Sequence, residues 1–249
     1  MNTLFIGQHL ITLDETASTN SYLQQYIREN EAVAEGLVVS AKHQTSGRGQ
    51  RGNTWQATPN MNLLLSILLK PTFIKPTEQF YFNAAIALGV YQYIKSKLPN
   101  NDVKIKWPND ILVDGQKIAG ILIENQLTGS TISSSVVGIG ININELNFEY
   151  LLKATSLHAI TNTPYALSKE LANVFTYVEA QYITLRSNPN KVWEMYHKHL
   201  YQKNILCNYM HNSQRMQATI EGVQKGGKLQ LRKDSGTIIS CHLQEIKYL

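Results

Sequence analysis

Cysteine is nearly missing from this chain of 249 residues: Cys207 and Cys241 are its only two, and neither sits in a CxxC or Cys/His spacing. Zinc and dithiol redox motifs therefore have no support, and the pair reads as reduced core thiols. Charge is also scarce, at 16% against 43% hydrophobic residues, which describes a globular protein and excludes a disordered or membrane-embedded one. The net charge of +5 comes from 23 basic and 18 acidic residues scattered along the chain. That favours anionic partners weakly, suits a nucleotide, and falls short of a nucleic-acid surface. The apolar run from Leu63 to Leu69 is broken by Ser66 and is far too short for a bilayer, and Met1 to Leu13 lacks the basic start and apolar stretch of a signal peptide. A cytoplasmic protein without membrane association is expected. No internal repeat or low-complexity tract occurs, and the length permits a large domain followed by a small one.

What is present has a clear order. Asp14 to Asn20 is polar and turn-like, and Tyr22, Leu23, Tyr26 and Ile27 then follow at helical spacing, with Ser18, Thr19 or Asn20 available as a cap. Leu37 to Ala41 reads as a buried strand that exits into Gln44-Thr45-Ser46-Gly47-Arg48-Gly49-Gln50-Arg51-Gly52. Asn62 to Leu69 is a second strand, and Glu78 to Lys97 a long helix with one apolar stripe. Val103 to Lys106 is a third strand. Asp114-Gly115 marks a hairpin between Ile111–Val113 and Lys117–Glu124, and a strand from Ser133 to Asn144 follows. The centre is thus a largely antiparallel sheet. Two helices, over Tyr165–Tyr182 and Lys191–Tyr201, precede short β-prone pieces from Ile205 onward, which suit a small closed β-barrel. The domains expected are 1–203 and 204–249, in an α+β fold.

Three stretches carry chemistry. Gly47 to Gly52 packs three glycines and two arginines into six residues directly after a strand. Its amides can approach an anion closely, while Arg48 and Arg51 offer forked donors to phosphate or carboxylate. It is no P-loop, for no Gly-Lys-Ser/Thr follows, and it opens no helix as a dinucleotide fingerprint would. A solvated surface loop has the same composition. Lys106-Trp107-Pro108-Asn109-Asp110 ends a strand in a corner able to hold an adenine or ribose and aim a carboxylate, although Pro-Asn-Asp is also an ordinary turn. Gly138-Ile139-Gly140-Ile141-Asn142 leaves room for a ligand against a strand, or simply lets elements pack closely. Asn142 could there reach a phosphate, a metal-bound water or an adenine.

Taken together and in order, Ser18-Thr19-Asn20, the Gln44–Gly52 loop with Trp55, Lys106–Asp110, Gly115–Glu124 and Gly138–Asn142 resemble the biotin protein ligases over about residues 14 to 145. The resemblance implies a mixed sheet with flanking helices like that of class II aminoacyl-tRNA synthetases, followed by a small SH3-like barrel. It implies activation of biotin with ATP and Mg2+ to biotinyl-5'-AMP, and transfer of biotin to a lysine on the biotin carboxyl carrier domain of a carboxylase. Biotin would fall to Ser18, Thr19, Asn20, Gln44, Gly47, Arg48, Gly49, Gln50 and Lys117, with Gly120 and Leu122 near its ring. The nucleotide or adenylate would be touched by Arg48, Gly49, Gln50, Arg51, Trp55, Asn109, Asp110, Lys117 and Asn142. Arg48 and Lys117 would be catalytic, and Asp110 would meet the metal through water. Gln50 stands where family members often carry arginine, so the loop keeps a hydrogen-bonding group there and loses a charge. DNA-regulating relatives carry a helix-turn-helix domain ahead of the first motif, which here starts at Ser18; no DNA partner is expected, and a homodimer is compatible.

Two other readings compete with this one. A lipoate ligase shares the two-step logic, but its arginine-plus-triple-glycine motif is not found. A basic nucleic-acid-binding module would need arginines along a face with interleaved aromatics, whereas here they cluster in one loop.

Overall fold

The computed structural model describes residues 2–148 and 153–249, the side chain of Arg51 excepted. Seven strands form the main sheet: β1 (Leu10–Thr16), β2 (Val38–Gln44), β3 (Leu63–Leu69), β4 (Val103–Lys106), β5 (Asp110–Val113), β6 (Gln116–Thr128) and β7 (Thr131–Ile141). Their spatial order is β1-β2-β3-β7-β6-β5-β4. Only β1 and β2 run parallel, and every other neighbouring pair is antiparallel.

Strand β1 is not predicted from the sequence, and its last three residues fall in the Asp14–Asn20 stretch that reads as polar and turn-like. Its half-exposed Leu-Ile-Thr-Leu-Asp-Glu-Thr pattern is that of an edge strand, whose polar face masks the β signal. The Asp114–Gly115 hairpin forms as predicted, with φ of 49° and 80° at its two central residues, the left-handed pair that a two-residue turn between twisted strands requires.

Helix α1 (Thr19–Glu29) follows β1 and packs on β2, β3 and β7. The long helix α2 (Phe80–Lys97) is buried around most of its circumference, not along a single stripe. The sheet covers one flank, and α4 (Leu167–Ser187) and α5 (Pro189–Lys198) cover the other. Gly89 permits this: a Cβ there would fall 2.7 Å from the Val178 Cα on α4. A short helix, α3 (Leu157–Thr161), is capped by the Ser156 hydroxyl, which accepts from the Ala159 amide. Among the described residues no helix is long and apolar enough to cross a membrane.

Two buried carboxylates organise this half of the molecule. Glu179 accepts from the backbone N–H groups of Leu4, Phe5 and Ile6 and so fastens the segment before β1 to α4. Glu170, 2% exposed, receives Tyr93 Oη, Asn173 Nδ2 and Lys97 Nζ. Burial pushes its carboxyl up, but the hydrogen bonds from Lys97, Asn173 and Tyr93 outweigh that, and its pKa ends below the ordinary 4.5. A carboxylate depressed in the folded state stabilises it fully above the unfolded pKa, and that contribution disappears as pH falls through the folded value. Thermal melts of the protein and of Glu170→Gln should therefore differ most above pH 4.5 and converge below it. A gap unchanged down to the lowest pH would show that ionisation of Glu170 is not the source.

After α5 the chain forms a five-stranded antiparallel sheet of β8 (Leu206–His211), β9 (Gln214–Val223), β10 (Leu229–Lys233), β11 (Ile238–Cys241) and β12 (Ile246–Tyr248), in the order β11-β10-β9-β8-β12. Polar ties join it to the rest, among them the Lys225–Glu78 ion pair at 3.3 Å. Trp107 Nε1 donates to the Gly227 carbonyl at 3.0 Å. His197 accepts the Val223 N–H on Nε2 and contacts the Trp193 carbonyl with Nδ1, an arrangement that requires the proton on Nδ1.

Candidate active site

Strand β1 and helix α1 meet at Ser18-Thr19-Asn20, each 3% exposed. Ser18 is the N-cap residue, yet its hydroxyl makes no capping hydrogen bond, contrary to the expectation that a hydroxyl here serves the helix. The three side chains turn inward to a cavity. Thr19 donates to Gln44 Oε1 through its amide (2.8 Å) and its hydroxyl (3.1 Å). Ser66 Oγ lies 2.8 Å from Thr19 Oγ1 and 2.6 Å from Asn20 Oδ1, and with a single proton it donates to one at a time. The Nδ2 of Asn20 donates to Glu124 Oε2 at 2.7 Å and to the Leu122 carbonyl at 3.3 Å.

The glycine-rich loop leaves β2 and folds back on itself. Trp55 donates its amide to the Gly47 carbonyl, Gly49 donates to the Asn53 carbonyl, and Gln50–Gly52 make a 3-10 turn. Gly47 is buried behind the cavity wall, where a Cβ would strike the Trp55 carbonyl. Arg48 is held by Glu124, Nη2 to Oε1 at 2.6 Å, and donates to Ser21 Oγ at 3.2 Å. The side chain of Arg51 lies outside the described residues. Trp55 lays its indole across the glycines of the sheet: a Cβ on Gly140 would sit 2.5 Å from its Cε2, and one on Gly120 2.9 Å from its Cζ3. The room these glycines leave, expected for a ligand, is thus taken by Trp55, and that above Gly138 by the Asn20 amide.

Across the cavity the Lys117 ammonium is paired with Asp110 Oδ1 at 2.7 Å and lies 5.4 Å over the Trp55 ring. Asn109 turns its amide to the Ile121 carbonyl at 2.7 Å, bracing the corner against β6. Asn142, 5% exposed, donates to the Thr155 carbonyl at 3.0 Å. Lys106 lies 4.8 Å over the Tyr248 ring. Burial lowers the Lys106 pKa, with the neighbouring Lys117 and Lys153 charges adding to it and Asp110 opposing.

These residues enclose two adjoining cavities. The first, of 470 Å³, is lined by the Ser18–Asn20 motif, Gln44, Arg48, Gly49 and Gln50, and on the sheet side by Asn109, Gly120 and Leu122. The second, of 980 Å³, takes in Asn142, Glu145, Lys153 and Leu249. Thr54, Trp55, Lys106, Asp110, Lys117 and Tyr248 line both. The two cations singled out in the sequence, Arg48 and Lys117, therefore face one cavity, each already neutralised by a carboxylate.

The family model described as the biotin/lipoate A/B protein ligase family matches residues 13–142, a stretch that contains both cations, both glycine motifs and all of the shared wall except Tyr248. The chain belongs to that family. This member is 35% identical over 151 residues to the bifunctional ligase/repressor BirA of Bacillus spizizenii, covering 60% of this chain and 45% of that protein. It is 32% identical over 152 residues to the biotin–[acetyl-CoA-carboxylase] ligase of Mycobacterium tuberculosis, covering 60% of this chain and 55% of that one. It thus spans about half the length of these curated relatives. Its fold is that of the biotin protein ligase of Aquifex aeolicus solved in complex with biotin and ATP, with a TM-score of 0.78, 23% identity, and 96% and 98% of the two chains covered. This places the mixed sheet, the flanking helices and the C-terminal β-structure in the architecture that the motifs predict.

Sequence reasoning left several residues of the site unassigned. Lys106 and Glu124 stand inside motifs that were legible, but only the folded chain shows what they face. Ser66 sits mid-strand in an apolar run, and Tyr248 comes from β12, beyond every motif.

Proposed function

We propose that this family member activates biotin with ATP to biotinyl-5'-AMP and passes biotin to a lysine of a carboxylase biotin-carrier domain. The observation that carries this is the pair of ligand-sized cavities meeting at Lys117, Asp110 and Trp55. Two substrates that must react end to end need two chambers with a common wall, and the charge developing between them needs a cation at that wall.

In this reading the first cavity takes biotin, with Ser18, Thr19, Asn20 and Gln44 as polar partners, Gly120 and Leu122 near the ring, and Gly47 behind the wall. The second takes the nucleotide, beside Asn142 and Lys153. A biotin carboxylate oxygen attacks the α-phosphorus and pyrophosphate leaves. Lys117 and Arg48 offset the repulsion between the two anions, and Gly49, Gln50 and Arg51 close over the product. A lysine ε-amine then attacks the mixed-anhydride carbonyl and AMP leaves. Among the described residues no group of three His, Cys, Asp or Glu side chains could hold a metal; a Mg2+ would arrive with the nucleotide, and of the two carboxylate side chains lining this chamber, Asp110 and Glu145, Asp110 would meet it through water, since Glu145 is engaged by Thr58 and Asn62. Such an ion supplies neutralisation of phosphate charge. Residues 204–249 act as a separate small domain that contributes Tyr248 to both chambers, and the activity belongs in the cytoplasm.

The deciding experiment incubates the protein with biotin and α-labelled ATP and looks for biotinyl-AMP. Its absence, or stabilisation by lipoate but not by biotin in a thermal shift, would overturn the assignment. Arg48→Gly removes the side chain that ties the loop to Glu124 and Ser21, and is expected to release adenylate that labels bystander lysines. If that variant labels only its carrier domain, the loop does not retain the intermediate.

A further inference from the structure

We propose that Glu124 is a positioning residue of this site, whose carboxylate latches the Gly47–Gly52 loop onto β6 and fixes the Asn20 amide in the same grip. The inference rests on the function proposed above for its catalytic consequence, though its structural half stands without it. One carboxylate on β6 meets two stretches far from it in the chain. Its Oε1 receives Arg48 Nη2 at 2.6 Å, and its Oε2 receives Asn20 Nδ2 at 2.7 Å and lies 3.5 Å from Arg48 Nη1. Ser21, next to Asn20, adds a hydroxyl acceptor for the same guanidinium at 3.2 Å.

The geometry explains why an acid is needed. A loop with three glycines in six residues has much conformational freedom to lose, and little side-chain packing with which to offset that loss. An arginine fork on a carboxylate supplies both direction and strength. Asn20 meanwhile accepts from Ser66 on Oδ1 and donates to Glu124 on Nδ2, so its amide has a single orientation. The same latch has a cost: an anion entering the cavity must compete with Glu124 for Arg48. Glu124 thereby sets how firmly the loop is held before ligand arrives and how the guanidinium is presented when it does.

The test uses the full chain without ligand first. Trypsin nicking after Arg48 and Arg51, followed by mass spectrometry, should be about fivefold faster in Glu124→Gln than in the unsubstituted protein, with an unchanged melting temperature. Nicking of the unsubstituted protein should rise with salt while that of Glu124→Gln does not. At the Arg51 bond, Arg48→Gly should nick as fast as Glu124→Gln, and the double variant no faster than either. Equal nicking of Glu124→Gln and the unsubstituted protein, or additive effects in the double variant, would overturn the latch. With biotin and ATP, Glu124→Gln should raise KM for biotin more than it lowers kcat, and Glu124→Ala, which also strips Asn20 of its acceptor, should raise it further. If the unsubstituted protein makes no biotinyl-AMP, the proposed function fails while the nicking result still decides the role of Glu124.

Discussion

Replacing Lys117 with alanine is expected to lower biotin-dependent pyrophosphate release by a factor on the order of 10²–10³, while the melting temperature stays near that of the unsubstituted protein. The side chain is 37% exposed and reaches its site from the start of β6, so little packing is lost on truncation. What disappears is the cation on the wall common to both cavities. Its partner Asp110 would then be left as an uncompensated negative charge facing two anionic substrates, which makes the loss larger than that of one hydrogen bond. Lys117→Arg keeps the charge but changes its shape, so it should recover part of the rate. Pyrophosphate release at the normal rate in Lys117→Ala would remove Lys117 from the chemistry.

A second large effect is expected from a single methyl group. Gly138→Ala puts a Cβ 2.9 Å from the Asn20 Cγ and 3.1 Å from its Nδ2, so the amide must move. Asn20 is held by Ser66, Leu122 and Glu124 and is 3% exposed, so displacing it combines overpacking, about 1–3 kcal/mol, with loss of buried hydrogen bonds, about 1–3 kcal/mol. The melting temperature should fall, and biotin affinity should weaken at least about tenfold, since 1.4 kcal/mol already corresponds to a factor of ten. Isothermal titration with biotin at a temperature where the variant is folded checks this. Wild-type affinity would mean that Asn20 can relocate freely and does not order the cavity.

How much of this was legible depended on the range of the interactions. The Asp114–Gly115 hairpin, the loop after β2 and the Trp107–Asp110 corner are local, and their residues announce them through turn chemistry and glycine spacing. Lys117 was placed on the returning strand for the same reason. Glu124 was visible only as the last residue of a quoted motif, because its role depends on Asn20 and Arg48, which are 104 and 76 residues away. Ser66 interrupts an apolar run, and from sequence that looks like a break, whereas its hydroxyl lies within hydrogen-bond distance of both Thr19 and Asn20. Strand β1 gives no sequence signal because none of its residues is fully buried, and β12 gives none because three residues carry no periodicity. Helix α2 shows one apolar stripe in sequence, which does not reveal that α4 and α5 cover its outer side.

The indole of Trp55 rests on Gly120 and Gly140 and fronts both cavities, with an Nε1 that has no hydrogen-bond partner among the described residues. A partition of that kind makes the two occupants thermodynamically linked: whatever factor by which the first guest shifts the panel to favour the second, the second must return the same factor to the first. Cooperativity between vitamin and nucleotide would then need no distant relay, only one aromatic side chain leaning on two residues that have none.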